Sequence, residues 1–305
     1  MCGIVGAIAG RDVVPILMDG LRRLEYRGYD SAGIAVRNGK AINRLRRAGK
    51  VQELKSALDE NPLQGFTGIS HTRWATHGEP NQANAHPHVS SEDVIVVHNG
   101  IIENFEELRE KLQADGYDFE SETDTEAIAH RVHQHLRKSG NLAEAVRETV
   151  HELEGAYAIA VMSVTDPDKL VIARAGAPAI VGIGDGENFV ASDIAALLPV
   201  TRNYIILEEG DVAVVGRESV TVYDINDQAV ERKIIESELT ADAAERGDFQ
   251  HYMQKEIHEQ AHAVAKTLEE RTANGKVLDA AFGPLAVGVL DRTRNVHIVA
   301  CGTSY

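Results

Sequence analysis

The feature that most constrains the fold of this chain is a series of short apolar segments that follow one another without intervening helices. They fill most of residues 156–222, separated by turn residues. Consecutive strands joined by short connections form antiparallel sheets, because parallel strands need a long crossover, usually a helix. We therefore predict an α+β fold dominated by antiparallel strands. The predicted strands are 2–9, 31–37, 67–73, 94–99, 156–164, 170–175, 179–183, 189–192, 204–207 and 212–214.

Helical periodicity is confined largely to the first half of the chain. One predicted helix begins with Asn104, followed three residues later by Glu107, which is the pattern of a capping box, and Gly116 lies just beyond its end. The predicted helices are 13–25, 51–60, 104–115, 125–138 and 142–154.

A change in composition near residue 235 predicts a domain boundary. An acidic, strand-poor stretch leads into a long polar helix at about 253–272, and an apolar run at 296–300 then reads as a buried strand. That strand runs into Cys301-Gly302-Thr303-Ser304, a loop type that usually opens a helix able to hold an anion or sugar hydroxyls. We predict a complete domain at 2–236, a linker and helix at 237–275, and the truncated start of a second, α/β domain at 276–305.

Composition restricts the partners. The formal net charge of −16 argues against a nucleic-acid partner, because nucleic-acid binding depends on neutralising phosphates. No apolar run is long enough to cross a bilayer, and the apolar N-terminus lacks a positively charged leader. The two cysteines, at opposite ends of the chain, make a poor disulfide framework. We expect a cytoplasmic protein that binds neither nucleic acid nor membrane.

One of those cysteines, Cys2, directly follows the initiator Met1 and precedes the apolar strand. If Met1 is removed, Cys2 carries both a thiol nucleophile and a free α-amine, whose pKa of about 7.7–8.0 in model peptides suits a base at neutral pH. The alternative is that Cys2 is a small buried apolar residue.

A second candidate is the pair Asn99-Gly100 at the end of a predicted strand. It offers a side-chain amide and an accessible backbone N–H, the donors that stabilise a tetrahedral oxyanion. The alternative is a tight hairpin turn, of which Asn-Gly is a strong sequence signal.

A third group lies between residues 70 and 80. A zwitterionic amino acid needs a cation for its carboxylate and an anion for its ammonium, and Arg73 with Asp124 meets that need. The alternatives are a solvated charge for Arg73, a core position for the only tryptophan, Trp74, and a helix cap for Asp124.

Histidines are concentrated between residues 71 and 98, which raises the possibility of a metal site. His86 and His88 could lie on one side of a strand, but no carboxylate or cysteine has a recognised ligand spacing. We expect no metal and no cofactor. His130 and His133 are expected to be a partly exposed pair on a helix.

Taken together, these segments closely resemble the N-terminal glutaminase domain of the glucosamine-6-phosphate synthase family. Cys2-Gly3-Ile4 alone fits any N-terminal-nucleophile glutamine amidotransferase; the other segments select this family. The resemblance extends through the junction between its two halves to the sugar-binding loop that opens its isomerase half. The matching segments are 1–6, 22–33, 70–80, 98–100, 251–257 and 301–305.

The resemblance implies a four-layer αββα sandwich of antiparallel sheets, with the sequence stopping inside the isomerase half. It implies that Cys2 attacks the side-chain amide of glutamine and releases ammonia, with its own amine as base. In the whole enzyme the ammonia aminates and isomerises fructose 6-phosphate, so this chain alone is expected to show glutaminase activity only. A homodimer is expected of the whole enzyme.

The resemblance also implies site residues. Asn99 and Gly100 match the oxyanion-hole positions, Arg73 the residue that binds the glutamine carboxylate, and Asp124 the residue that meets its ammonium. The other matched positions are Thr76 and His77 in the pocket, Trp74 gating an ammonia passage, Arg27 ordering the site, and Cys301, Thr303 and Ser304 in the incomplete sugar site.

Two other functions remain open. The chain could sense glutamine without cleaving it, which retention of Met1 would favour. It could also keep the chemistry but serve a phosphoribosyl or aspartyl acceptor.

Overall fold

The computed structural model describes residues 2–75, 78–237 and 249–268, with short pieces at 272–273, 276–277, 288–289, 292–295 and 297. The chain divides into two compact units, Met1–Glu245 and Arg246–Tyr305.

The strands of the first unit are β1 (Gly3–Ile8), β2 (Ser31–Asn38), β3 (Ala41–Ala48), β4 (Thr67–Arg73), β5 (His88–Ser90), β6 (Val94–Ile102), β7 (Gly155–Ser163), β8 (Leu170–Ala175), β9 (Ile180–Ile183), β10 (Asn188–Ala191), β11 (Asn203–Ile206), β12 (Val212–Val215), β13 (Val220–Tyr223), β14 (Ala229–Val230) and β15 (Ile234–Glu236). Its helices are α1 (Val14–Leu24), α2 (Val51–Glu60), α3 (Phe105–Ala114), α4 (Asp124–Ser139) and α5 (Leu142–Val150), with short 3₁₀ turns at Glu25–Arg27 and Ile194–Ala196.

The strands form two antiparallel sheets. The order in the first is β15-β11-β9-β10-β1-β4-β2-β3, and in the second β14-β13-β12-β8-β7-β6-β5. β1 is therefore an interior strand, paired with β10 on one side and β4 on the other. The N-terminal strand is held on both edges, which fixes the position of the residue in front of it.

Alternation of side chains along each strand builds four layers. In β1, Val5 and Ala7 pack with α1 and α2, whereas Ile4 and Ile8 pack against the second sheet. On the far side of the second sheet, α3, α4 and α5 cover Val94 and other β6 residues. The fold is the predicted α+β sandwich of two antiparallel sheets with helices on both outer faces.

The strand β3 escapes prediction from sequence alone. Its middle carries Arg44, Arg46 and Arg47, and these charged residues interrupt the apolar alternation that marks a strand. It nevertheless pairs with β2 along its whole length, from Ser31 opposite Ala48 to Asn38 opposite Ala41. The other strands missed, β5 and β13–β15, have two to four residues each.

Two local predictions are wrong. Asn104 does not cap α3 with its side chain; its amide instead donates to Glu152 O at 2.8 Å and accepts from Glu154 N at 3.1 Å, tying α3 to the segment after α5. His130 and His133 are buried, because α4 packs between α3, α5 and the second sheet.

The second unit is described only in part. It contains α6 (Tyr252–Leu268) and a two-stranded hairpin of β16 (Thr272–Ala273) and β17 (Lys276–Val277). The predicted helix at 253–272 coincides with α6 up to residue 268, and the predicted strand at 296–300 lies outside the described residues. Among the described helices, none is both long and apolar enough to span a membrane.

Candidate active site

Strand alternation places three of the predicted site residues on the face between the two sheets. Cys2 precedes inward-facing Ile4 by two positions, Asn99 follows inward-facing Val97, and Arg73 lies four positions beyond inward-facing Ile69. Since side chains repeat every two residues, all three lie on the inter-sheet side at one end of the sandwich.

Cys2 lies against the residue that follows β4. The Trp74 backbone N–H donates to the Cys2 Sγ at 3.3 Å, and the thiol lies 3.5 Å from Trp74 O. Cys2 is half-buried. Burial raises the pKa of the thiol, while the hydrogen bond from Trp74 opposes that shift. The thiol is therefore protonated at neutral pH and needs a base to become a nucleophile.

Asn99 and Gly100 lie on the adjacent strand β6. The Asn99 Nδ2 donates to Cys2 O at 3.3 Å, so the amide is beside the candidate nucleophile. The predicted alternative of a hairpin turn is wrong here, because β6 continues through Asn99 and Gly100 to Ile102 in register with β7. Gly100 has a φ of 133°, and a Cβ there would lie 2.0 Å from Ala156 O.

A small pocket joins both faces of β6. The row of Val94 and Val96 that packs on α4 continues to His98 and Gly100. The pocket is lined by Cys2, Arg73, Trp74, His86, His98, Gly100, Thr123 and Asp124.

The two charged residues predicted for an amino-acid zwitterion both line this pocket. Arg73 is 3% exposed and Asp124 is 4% exposed. Burial lowers the pKa of the Arg73 guanidinium, and the carboxylates of Asp30 and Asp124 are among the charges that oppose the shift. Asp124 is the first residue of α4, and its Oδ2 accepts from Ile102 N at 2.9 Å, which fixes the carboxylate at the end of β6.

Trp74 is an exposed rim residue, not the core residue of the alternative reading. It is 46% exposed, and its ring meets the edge of Tyr29 with centroids 5.2 Å apart. The loop behind it is fixed by Asp30, whose carboxylate accepts from Ala75 N. Sequence reasoning did not single out Asp30.

Arg27 lies outside the group of residues that line the pocket. Its guanidinium pairs with Asp193, and its Nε donates to the Tyr26 hydroxyl at 3.1 Å. The pair joins the turn after α1 to the turn after β10. Arg27 thus contacts elements that flank β1 without reaching the described pocket.

Sequence reasoning also missed His86, His98 and Thr123 as lining residues. The Thr125 hydroxyl links the first two, at 3.1 Å from His86 Nε2 and 3.1 Å from His98 Nδ1. The sequence offered one signal for His98. It immediately precedes Asn99 on a predicted strand, so its side chain lies on the opposite face of that strand. Burial lowers the pKa of His86 well below its ordinary value.

The remaining predicted residues lie outside the described residues; these are Thr76, His77, Cys301, Thr303 and Ser304. Within the described part of the chain, no three or more His, Cys, Asp and Glu side chains form a group that could hold a metal ion.

Comparison with known proteins indicates the class of enzyme that this chain resembles. Residues 71–199 match the glutamine amidotransferase domain family. The fold is similar to glutamine phosphoribosylpyrophosphate amidotransferase from B. subtilis, with a TM-score of 0.64 and 24% identity over 75% of this chain and 50% of that one. It is also similar to an allosteric regulatory enzyme of purine biosynthesis, with a TM-score of 0.63 and 26% identity over 73% of this chain and 49% of that one. The chain therefore contains a match to a glutamine amidotransferase domain, within a fold shared with these solved enzymes.

Curated relatives that match over the full length of this chain point to a particular kind of glutamine amidotransferase. The sequence is 57% identical over 305 residues to glutamine–fructose-6-phosphate aminotransferase (isomerizing) from Shewanella oneidensis, covering 100% of this chain and 50% of the relative. It is 56% identical to the enzyme of that name from Idiomarina loihiensis, with the same coverage. The chain spans about half the length of the curated relatives it matches, and that half includes the match to the glutamine amidotransferase domain.

Proposed function

We propose that this chain hydrolyses the side-chain amide of glutamine with Cys2 as the nucleophile. The observation that carries the proposal is that the Asn99 amide donates to the backbone carbonyl of Cys2 at 3.3 Å, which places an amide donor beside the residue whose thiol accepts from Trp74 N–H. A nucleophile and an oxyanion donor at the end of a buried strand fit acyl transfer from an amide.

The reaction begins with removal of Met1, which frees the Cys2 α-amine. That amine takes the thiol proton, and the thiolate attacks the side-chain carbonyl carbon of glutamine. Asn99 Nδ2 and Gly100 N–H stabilise the oxyanion of the tetrahedral intermediate. The amine returns the proton to the departing nitrogen, ammonia leaves and a γ-glutamyl thioester remains. Water then attacks the thioester, releasing glutamate and restoring the thiol.

Recognition of glutamine falls to the charged residues of the pocket. Arg73 binds the α-carboxylate through its planar fork, and Asp124 meets the α-ammonium. Both side chains are almost fully buried and line one pocket with Cys2, which supports these roles. We keep Thr76 and His77 as further pocket residues, Trp74 as the residue that gates ammonia release, and Arg27 as a residue that orders the site.

The relatives are about twice as long as this chain, and their names support a second step in an enzyme of that length. We propose that ammonia passes to fructose 6-phosphate and yields glucosamine 6-phosphate in an isomerase half, where Cys301, Thr303 and Ser304 begin the sugar site. The whole enzyme would act in the cytoplasm as a homodimer. The domain limits 2–236, 237–275 and 276–305 are retained as part of this proposal.

The test is glutamate release by Cys2→Ala, with Cys301→Ala, a change of the only other cysteine, as the matched control. We expect Cys2→Ala to lose at least about 1000-fold in kcat and the control to lose none. Unchanged glutamate release by Cys2→Ala would refute the proposal. Glutamine binding without any glutamate release by the unmodified chain would establish the sensing function instead.

A further inference from the structure

The Asn99 carboxamide is held from both of its ends. Its Nδ2 lies 3.3 Å from Cys2 O, and its Oδ1 lies 3.0 Å from His71 Nε2. A backbone carbonyl can only accept a hydrogen bond, so the amide nitrogen must face Cys2. The amide oxygen therefore faces His71, and the imidazole must donate from Nε2.

His71 is itself fixed in place. It lies on β4, opposite Ile4 of β1 on one side and Gly33 of β2 on the other, and it is 0% exposed. The His86 ring packs against it with centroids 4.2 Å apart. A side chain held between two strands and a second ring has little freedom to rotate, so it is a rigid support for the amide.

The charge state of His71 agrees with this geometry. Burial lowers the pKa of His71 to about 3, so the ring is neutral at neutral pH and carries a single N–H. One neutral tautomer, with the proton on Nε2, satisfies the contact with the Asn99 oxygen.

We propose that His71 is a positioning residue, whose Nε2–H holds the Asn99 carboxamide with its NH₂ group turned toward the catalytic cysteine. This inference rests on the proposed function. His71 does not line the described pocket and so acts through Asn99. Without it, the amide can turn over and present its oxygen to the developing oxyanion, which replaces an attraction by a repulsion.

The test compares two variants in the glutamate-release assay. His71→Leu is close in volume but has no donor, whereas His71→Gln keeps an amide N–H near the Nε2 position. We expect His71→Leu to lose roughly 10- to 100-fold in kcat with the KM for glutamine changed by less than about threefold. His71→Gln should recover most of that loss, and His151→Leu, at an exposed histidine, should match the unmodified chain.

A double-mutant cycle separates positioning from a general structural effect. In an Asn99→Ala background, His71→Leu should cause no further loss in kcat, because the group it positions is gone. An additive loss there would overturn the proposal, and so would a folded His71→Leu variant with unchanged kcat. If Cys2→Ala kept its activity, the proposed function would fail instead, so the two failures are distinguishable.

A measurement on the unmodified chain covers the case in which His71→Leu does not fold. Nitrogen NMR of ¹⁵N-histidine-labelled protein at neutral pH reports which ring nitrogen carries the proton. We expect the His71 signals to show a protonated Nε2 and a bare Nδ1. A proton on Nδ1 would overturn the proposal.

Discussion

At the scale of single residues, consecutive side chains of β6 lie on opposite faces of one sheet: His98 lines the pocket, and Asn99 contacts Cys2. His98 lies on the helix side, where its Nδ1 is 3.1 Å from the Thr125 hydroxyl of α4. Asn99 lies on the inter-sheet side, bonded to His71. Gly100 follows and lines the pocket. Three consecutive positions thus combine groups from two layers at one site.

Arg73 and Asp124 provide a residue-scale prediction about substrate binding. Arg73→Lys removes the fork and Asp124→Asn removes the charge, each of which costs a charge-assisted hydrogen bond worth about 1.5–3 kcal/mol. The KM for glutamine should rise roughly 10- to 100-fold in each variant while kcat stays within about threefold. Steady-state kinetics measures both constants.

The control is Arg131→Lys, at a guanidinium bonded to Glu152 outside the pocket. It should leave KM unchanged. If the Arg73 and Asp124 variants lost kcat with an unchanged KM, the two residues would act in the chemical step and not in binding.

Sequence alone could locate part of this site. The positions of Cys2, Arg73 and Asn99 follow from strand alternation, since each continues a row of inward-facing apolar residues. His86 and Asp30 could not be found in this way. Their positions at the site depend on how a loop and a turn pack against β1 and β4, and no local sequence pattern predicts that packing.

At the scale of elements, the pairing of β6 with β7 sets the conformation of Gly100. A Cβ would meet Ala156 O, and the φ of 133° is one that L-residues rarely adopt. Gly116, just after α3, also has a positive φ, of 89°, but has no atom within 4 Å of the Cβ position. Both glycines have a positive φ, but only at Gly100 would a Cβ clash with other atoms. Comparing alanine variants at the two positions therefore isolates the effect of the clash.

We therefore predict that Gly100→Ala lowers the free energy of unfolding by at least about 2 kcal/mol more than Gly116→Ala does. Urea unfolding of both variants measures the difference. Equal losses would mean that the backbone of β7 moves aside freely, which would contradict the close pairing at this point. Any folded Gly100→Ala should also lose glutaminase activity, because the backbone at Gly100, which lines the pocket, must shift to relieve the clash with β7.

The elements also show where local rules fail. The Asn-Gly turn signal fails at Asn99 because pairing with β7 continues past it, and tertiary pairing outweighs the local preference. The cap predicted at Asn104 fails because its amide finds partners in Glu152 and Glu154 instead. In both cases a contact distant in sequence decides the local structure.

At the scale of the whole molecule, the sandwich encloses a group of neutral histidines at the end where the site lies. Burial lowers the pKa of His71 to about 3 and the pKa values of His86 and His88 well below the ordinary value. In the unfolded chain these histidines have a pKa near 6.5 and bind protons that the folded chain excludes. Stability therefore rises with pH through this range.

We predict that the free energy of unfolding is steady above pH 7 and falls as the pH drops from about 6.5 toward 4.5. Each of these histidines contributes up to about 1.4 kcal/mol per pH unit. Urea unfolding at a series of pH values measures the slope, and His71→Gln should reduce it by about one histidine's share. A flat profile between pH 6.5 and 4.5 would show that these rings are protonated in the folded chain.

Labelling with a diazoketone analogue of glutamine, followed by intact mass and N-terminal peptide mapping, shows directly whether Cys2 is the nucleophile. We expect a chain without Met1 that takes one adduct, on Cys2, and loses it when excess glutamine competes. Retained Met1, or an adduct elsewhere that glutamine does not suppress, would contradict Cys2 as the nucleophile that cleaves glutamine.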